Sequence, residues 1–265
     1  MESPFYDRLF QMNIQAEKKG AYWGLIISAI SKIIMEKGRP YAIVSEIEEK
    51  TREMISEECS ERVSSKAISE GLNILARNEI VVSKDPFEFN LMDRRVRPYT
   101  FRYWAHSSLL VGYPKGFKGT RVVLFALLGM KNKRDVPEPE VSISLIEKMG
   151  MKVEKCIVFT TKAALESWSD SINEERLELE LVDPSCFFKE YRSLYDLFLK
   201  KFKDLDKKER AIVLDVTAGT KLGTVAMFKL GMDQLMPAIY VSYEDLELSW
   251  VIHPEEVIRL LGGLD

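Results

Sequence analysis

Asp215, Thr217, Gly219, Thr220 and Lys221 lie within seven consecutive residues, and together they carry the groups that hold an anion. The stretch reads Asp215-Val216-Thr217-Ala218-Gly219-Thr220-Lys221. An apolar run, Ala211 to Leu214, precedes it and predicts a buried strand. Leu222 to Met232 follows and predicts a helix. The first amides of a helix have no partners inside it, so a strand-turn-helix passage offers N–H groups to negative charge. Gly219 and the small Ala218 let a ligand approach the backbone. The Thr217 and Thr220 hydroxyls can cap the helix or donate to phosphate oxygens, and Lys221 adds a full positive charge. The same residue types also form ordinary capped turns, so a purely structural turn stays open at this point. The stretch is not a Walker loop, which has Gly-Lys-Ser/Thr after a longer glycine-rich run.

The elements that would position these residues follow an alternating pattern over residues 120–265. Strands are predicted at Arg121 to Leu128, Lys155 to Thr161, Leu177 to Val182 and Ala211 to Leu214. Helices are predicted from Pro139, at Ala163 to Ser171 and at Phe187 to Phe202. A strand pair, Ala238 to Tyr243 and Leu248 to Ile252, closes the series. This is the order of a Rossmann-like α/β domain with a mainly parallel sheet. In such sheets ligands gather beyond the carboxyl ends of the strands. Three turns are therefore candidates, and they contribute Gly129 and Asn132, Thr160 and Thr161, and Asp215 to Lys221. Thr160 and Thr161 also suit a helix cap, and Lys131 to Arg134 also suits a solvated loop. The turn at Gly129 lacks Gly-x-Gly-x-x-Gly, which disfavours a dinucleotide-dependent dehydrogenase.

Residues 1–92 have a different texture. Helices are predicted at Trp23 to Glu36, at Tyr41 to Met54 and from Ser60 onward. A strand at Glu79 to Ser83, a turn at Lys84 to Pro86 and a returning strand at Phe87 to Leu91 follow. Three helices and a hairpin are the plan of a winged helix-turn-helix. Its third helix would turn Arg62, Ser65, Lys66, Ser69, Asn73 and Arg77 outward, with Lys84 at the wing tip; these types suit double-stranded DNA. Against this stands an acidic second helix with Glu46, Glu48, Glu49 and Glu53, and winged helices also serve as dimerisation or spacer modules. Residues 93–119 are read as a linker, with aromatic residues (Tyr99, Phe101, Tyr103, Trp104) suited to packing on something.

A net charge of -3 excludes a general polyanion binder, so any nucleic-acid site must be a local patch. Cys59, Cys156 and Cys186 are isolated, which fits a reducing cytoplasm and offers no disulfide or metal framework. Only two histidines, His106 and His253, are present and far apart, so no metal or histidine-based triad is expected. Met1 to Phe10 lacks the apolar core of a secretory leader, and no apolar run reaches membrane-spanning length. A cytoplasmic location with no membrane contact is expected.

The Asp215 to Lys221 stretch resembles the second signature of the CARF domain, the CRISPR-associated Rossmann-like fold, with Ala218 where a second glycine is common. The resemblance spans about residues 120–265. It implies a homodimer that binds cyclic oligoadenylate, the second messenger of type III CRISPR antiviral defence, and needs no other cofactor. Lys221 and the helix N-terminus would hold phosphates; Thr217, Thr220 and residues of the first loop would hold ribose or adenine edges. With the winged helix, the implied function is a ligand-responsive DNA-binding transcriptional regulator, although that order of domains reverses the one associated with archaeal CARF regulators. The alternative is a metal-independent ring nuclease, in which Lys221 would act catalytically by stabilising the transition state; the Leu127-Leu128-Gly129 end of the first strand lacks the hydroxyl that some ring nucleases place there. A HEPN ribonuclease site is not expected, because Arg102 and His106 are separated by only three residues.

Overall fold

The computed structural model describes residues 5, 8–9, 22–58, 63–83, 94–102, 104–131, 135–172, 175–189, 191–205 and 210–262. The chain divides into two compact units. The first comprises residues 1–116 together with 255–265, and the second comprises 117–254.

In the first unit, α1 (Trp23–Lys37) buries Ile26, Ile27, Ile30, Ile33 and Ile34 along one side. It stops at Gly38, whose left-handed conformation returns its N–H to the Ile34 carbonyl. A two-residue strand, β1 (Ala42–Ile43), leads into α2 (Val44–Glu58) and α3 (Ser65–Arg77). The Ser64 hydroxyl caps α3 by accepting from the Ala67 N–H. Strands β2 (Val81–Ser83) and β3 (Pro98–Phe101) and helix α4 (Trp104–Gly112) follow. The three strands form an antiparallel sheet in the order β1-β3-β2.

Residues 93–119 therefore do not form a simple linker. Four of them make the central strand of this sheet, with all four side chains buried, and nine more form α4. The β-formers Tyr99, Thr100 and Phe101 supply the reason. The Thr100 hydroxyl is satisfied by the Pro40 carbonyl and the Ser107 hydroxyl. The partner of β2 is β3; the expected returning strand 87–91 and the turn 84–86 lie outside the described residues.

The second unit contains β4 (Arg121–Leu127), α5 (Glu138–Lys148), β5 (Lys152–Thr160), α6 (Lys162–Ser167), β6 (Leu177–Leu181), α7 (Pro184–Lys189), α8 (Tyr191–Asp204), β7 (Ala211–Asp215), α9 (Lys221–Gln234), β8 (Ala238–Ser242) and β9 (Glu247–Ile252). The expected helix from Phe187 to Phe202 falls in α7 and α8, and residue 190 between them lies outside the described residues. The sheet order is β6-β5-β4-β7-β8-β9, parallel throughout except for β9. Counted from β4, this is 3-2-1-4-5-6, the order of doubly wound nucleotide-binding folds. Strands β4 and β7 are almost wholly buried, which explains their continuous apolar sequences. Phe125, Phe159 and Phe198 stack in sequence beneath the sheet, with centroids 5.6 and 4.6 Å apart. The outer strand β6 is lined with charge, Lys201 pairing with Glu178 and Glu180, which blunts the edge.

The chain leaves β4 and β7 in opposite directions across the sheet. Their carboxyl ends mark the topological switch point, the place at which sheets of this order bind ligands.

After β9 the chain enters α10 (Pro254–Leu260), most of which belongs to the first unit. Val257, Ile258 and Leu261 are fully buried there, and the Leu261 carbonyl accepts from the buried Ser31 hydroxyl. Truncating Ile258 to Ala is expected to destabilise the first unit by about 2–5 kcal/mol. Denaturant unfolding of the full chain checks this; an unchanged midpoint would contradict the placement.

Candidate functional site

At the switch point two loops meet, one after β4 and one after β7, with Gly129 beside Gly219. Asp215 ends β7 with its carboxylate 1% exposed. Oδ1 accepts from the Thr217 N–H at 2.9 Å and Oδ2 from the Ser142 hydroxyl at 2.5 Å. Burial raises its pKa above the ordinary carboxylate value, while the donors from Ser142 and Thr217 oppose that rise. Asp215 therefore shapes the loop from below.

Thr217 continues the same connection. Its hydroxyl accepts from the Val241 N–H on β8 at 2.9 Å and bonds to Asp215. Gly219 then takes φ +90, and a Cβ there would lie 2.8–2.9 Å from Leu127 side-chain atoms. Only glycine fits, both for its backbone and for its contact with the end of β4. Gly129 on the other loop is its neighbour: a Cβ there would sit 3.9 Å from the Gly219 nitrogen.

Thr220 is the N-cap of α9. Its hydroxyl accepts from the Gly223 N–H at 3.2 Å and donates to the Phe187 carbonyl at 3.1 Å. Its polar capacity is thus largely used inside the protein. The backbone differs. Among the described residues, the N–H groups of Ala218, Gly219, Thr220, Lys221 and Leu222 donate to no protein acceptor. Lys221 is exposed at the first turn of α9 and makes no ion pair among the described residues. Five available amides, a helix N-terminus and an ammonium group converge on one stretch, a setting suited to phosphate.

The other predicted residues line the walls. Thr160 is fully buried and donates to the Leu128 carbonyl at 3.0 Å. Thr161 caps α6 by accepting from the Ala164 N–H. Trp168 Nε1 donates to the Gly129 carbonyl at 2.8 Å, and Lys131 Nζ reaches Ser171 Oγ at 2.8 Å beside the Trp168 ring. These bonds hold Leu128, Gly129 and Lys131, the described start of the loop after β4. Asn132 lies outside the described residues. Sequence reasoning missed Ser142, Phe187, Trp168 and Val241. The first is an unremarked serine within a helix, and Phe187 and Val241 act through backbone atoms, which carry no sequence signal.

In the first unit, Ser65, Lys66, Asn73 and Arg77 lie exposed on α3, whereas Ser69 is 9% exposed and turned inward. It nonetheless borders the same groove as Ser65, Lys66 and Asn73. Ser65 donates to Glu48 at 2.9 Å and accepts from Arg52 at 2.6 Å. Ser65, Lys66, Ser69 and Asn73 border a groove of about 530 Å³ that also meets Val44, Glu48, Glu70 and Arg95. Arg62 and Lys84 lie outside the described residues. No group of three or more His, Cys, Asp or Glu is arranged for a metal among the described residues. No described helix is long and apolar enough to cross a membrane.

No protein-family model matches the chain, and no curated protein matches it. Several solved structures are partly similar to this chain. One is Can2 from Sulfobacillus thermosulfidooxidans in complex with cyclic tetra-adenylate, at 20% identity and a TM-score of 0.35, covering 50% of this chain and 35% of that one. Another is Csm6 from Enterococcus italicus bound to cyclic hexa-2'-fluoro-hexa-dAMP, at 14% identity and a TM-score of 0.37, covering 54% of this chain and 39% of that one. This chain thus spans little more than a third of the length of either.

Replacing Gly219 with Ala is expected to cost about 1–3 kcal/mol, because the left-handed backbone and the Leu127 contact both penalise a Cβ. Thermal unfolding checks this. A wild-type melting curve would contradict the close approach of the two loops.

Proposed function

We propose that the second unit binds a cyclic oligoadenylate at the switch point, and that the protein is a ligand-responsive DNA-binding regulator. The observation that carries the first part is the run of available amides from Ala218 to Leu222 beside Lys221, placed where a 3-2-1-4-5-6 sheet opens. The Asp215-x-Thr217-x-Gly219-Thr220-Lys221 pattern supports the choice of ligand. Amides and Lys221 would take phosphate oxygens, because both are donors and one is charged. A base or a ribose would lie beside Gly129, where a Cβ would meet nothing closer than the Gly219 backbone at 3.9 Å.

The second part rests on the first unit. A strand between α1 and α2, two helices and an antiparallel strand pair follow the plan of a winged helix-turn-helix. Its α3 would offer Lys66, Asn73 and Arg77 to a duplex. Glu48 and Glu70 on the same groove temper the positive charge, so contact would centre on the exposed Arg77 end and Arg95. The homodimer of this reading would form on α9, where Val225, Phe228 and Met232 are exposed at helical spacing on the face that begins with Lys221.

Ring cleavage finds less support in the described site. Its buried carboxylate, Asp215, is occupied by Ser142 and Thr217. His253 follows β9, whose antiparallel course carries it to the opposite end of the sheet.

Calorimetric titration of the full chain with cyclic tetra-adenylate and cyclic hexa-adenylate tests the ligand. One ring is expected to bind, and Lys221→Ala to weaken it about tenfold or more, the value of a charge-assisted contact. Failure of both rings to bind would overturn the reading, and linear product after incubation would favour the nuclease alternative. For DNA, binding to the protein's own promoter region should fall steeply with salt and weaken when Lys66 and Arg77 are neutralised. Equal retention by the double variant would remove α3 from the interface.

A further inference from the structure

Ser142 lies in the middle of α5, fully buried, outside the Asp215 to Lys221 stretch. Its hydroxyl reaches Asp215, 73 residues later in the chain. Asp215 has no ion pair among the described residues, so its buried charge depends on hydrogen-bond donors alone. Ser142 donates to one oxygen, and Thr217 supplies its N–H to the other and its hydroxyl as a further donor. Thr217 in turn holds Val241 on β8. The connection runs from α5 through β7 and the loop to β8, and the amides of the following five residues are left without internal acceptors.

A buried carboxylate that lost the Ser142 donor would not remain underpaired. The next donors along the chain are the loop amides themselves. Bending the loop to reach Asp215 would consume the hydrogens that the site presents. We infer that Ser142 is a positioning residue for the anion-binding loop: by satisfying Asp215 Oδ2 it keeps that carboxylate from competing with a bound phosphate for the amides of residues 218–222. The inference rests on the switch point being the ligand site, but its structural half can be read without a ligand.

The test is residue-resolved amide hydrogen exchange on the full chain without ligand, for wild type, Ser142→Ala, Asp215→Asn and the double variant. In Ser142→Ala amides of residues 218–222 should gain protection as they turn to Asp215, and the Thr217 and Val241 amides, displaced by that bend, should exchange about tenfold faster. The ladder amides of β4 and β7 should stay protected. If Ser142 acts through Asp215, adding Ser142→Ala to Asp215→Asn should change little further, the non-additivity of coupled sites. Affinity for cyclic tetra-adenylate, measured in parallel, should fall about tenfold in Ser142→Ala. Unchanged exchange at Thr217 and Val241, additive effects in the double variant, or uniform loosening of α5 and β4 would each overturn the inference. If wild type binds no ring while Ser142→Ala still loosens Thr217 and Val241, the ligand reading fails and the loop-positioning role stands. Should Ser142→Ala not fold, Ser142→Cys replaces the hydroxyl with a weak donor of similar size, and Thr217 and Val241 amides as protected as in wild type would overturn the inference.

Discussion

A carboxylate buried without a neighbouring cation must be met by hydrogen-bond donors, and the site of this protein is organised around that demand. Asp215 sits at the end of a central strand, where desolvation penalises its charge. Satisfying it draws Ser142 from one helix and Thr217 from the loop into fixed positions. Thr217 then locks onto the next strand through Val241. The loop has little freedom left by the time it reaches Gly219, whose left-handed backbone leans against Leu127. The amides beyond it follow from this anchoring, since α9 begins at once and its first N–H groups have no helical partners.

The division of labour in the site is therefore between side chains that build and a backbone that presents. Thr160, Thr161 and Thr220 spend their hydroxyls on loop carbonyls or helix caps. Trp168 and Lys131 hold the opposing loop. What remains toward solvent is a row of amide hydrogens and the Lys221 ammonium. A site made this way favours negative charge. It carries little side-chain readout of its own, so discrimination among phosphate-bearing ligands would come from ring shape and from a second copy.

Much of the second unit was legible in the sequence because parallel strands buried on both faces are continuous apolar runs, as in Val122 to Leu127 and Ala211 to Leu214. The turn at Gly219 was legible because glycine, threonine and lysine concentrate there. The Ser142–Asp215 bond was not, since nothing local marks one buried serine as the partner of a residue 73 positions away. Residues 93–119 read as a linker because they are rich in Arg, aromatic residues, Pro and Gly, yet Pro98–Phe101 is central to its sheet. Its partners lie far apart in sequence, and β1 is only two residues long, too short for any periodicity. The return of residues 255–265 to the first unit likewise depends on tertiary burial of Val257, Ile258 and Leu261.

The central claim is that backbone amides after β7 hold the phosphates of a cyclic oligoadenylate. Nitrogen-15 amide spectra of the full chain, recorded with and without cyclic tetra-adenylate, address it most directly. The account predicts the largest downfield shifts at Ala218 to Leu222, with smaller changes at Gly129 and little in β5 or β6. Saturable binding that leaves those five amides unmoved would contradict it.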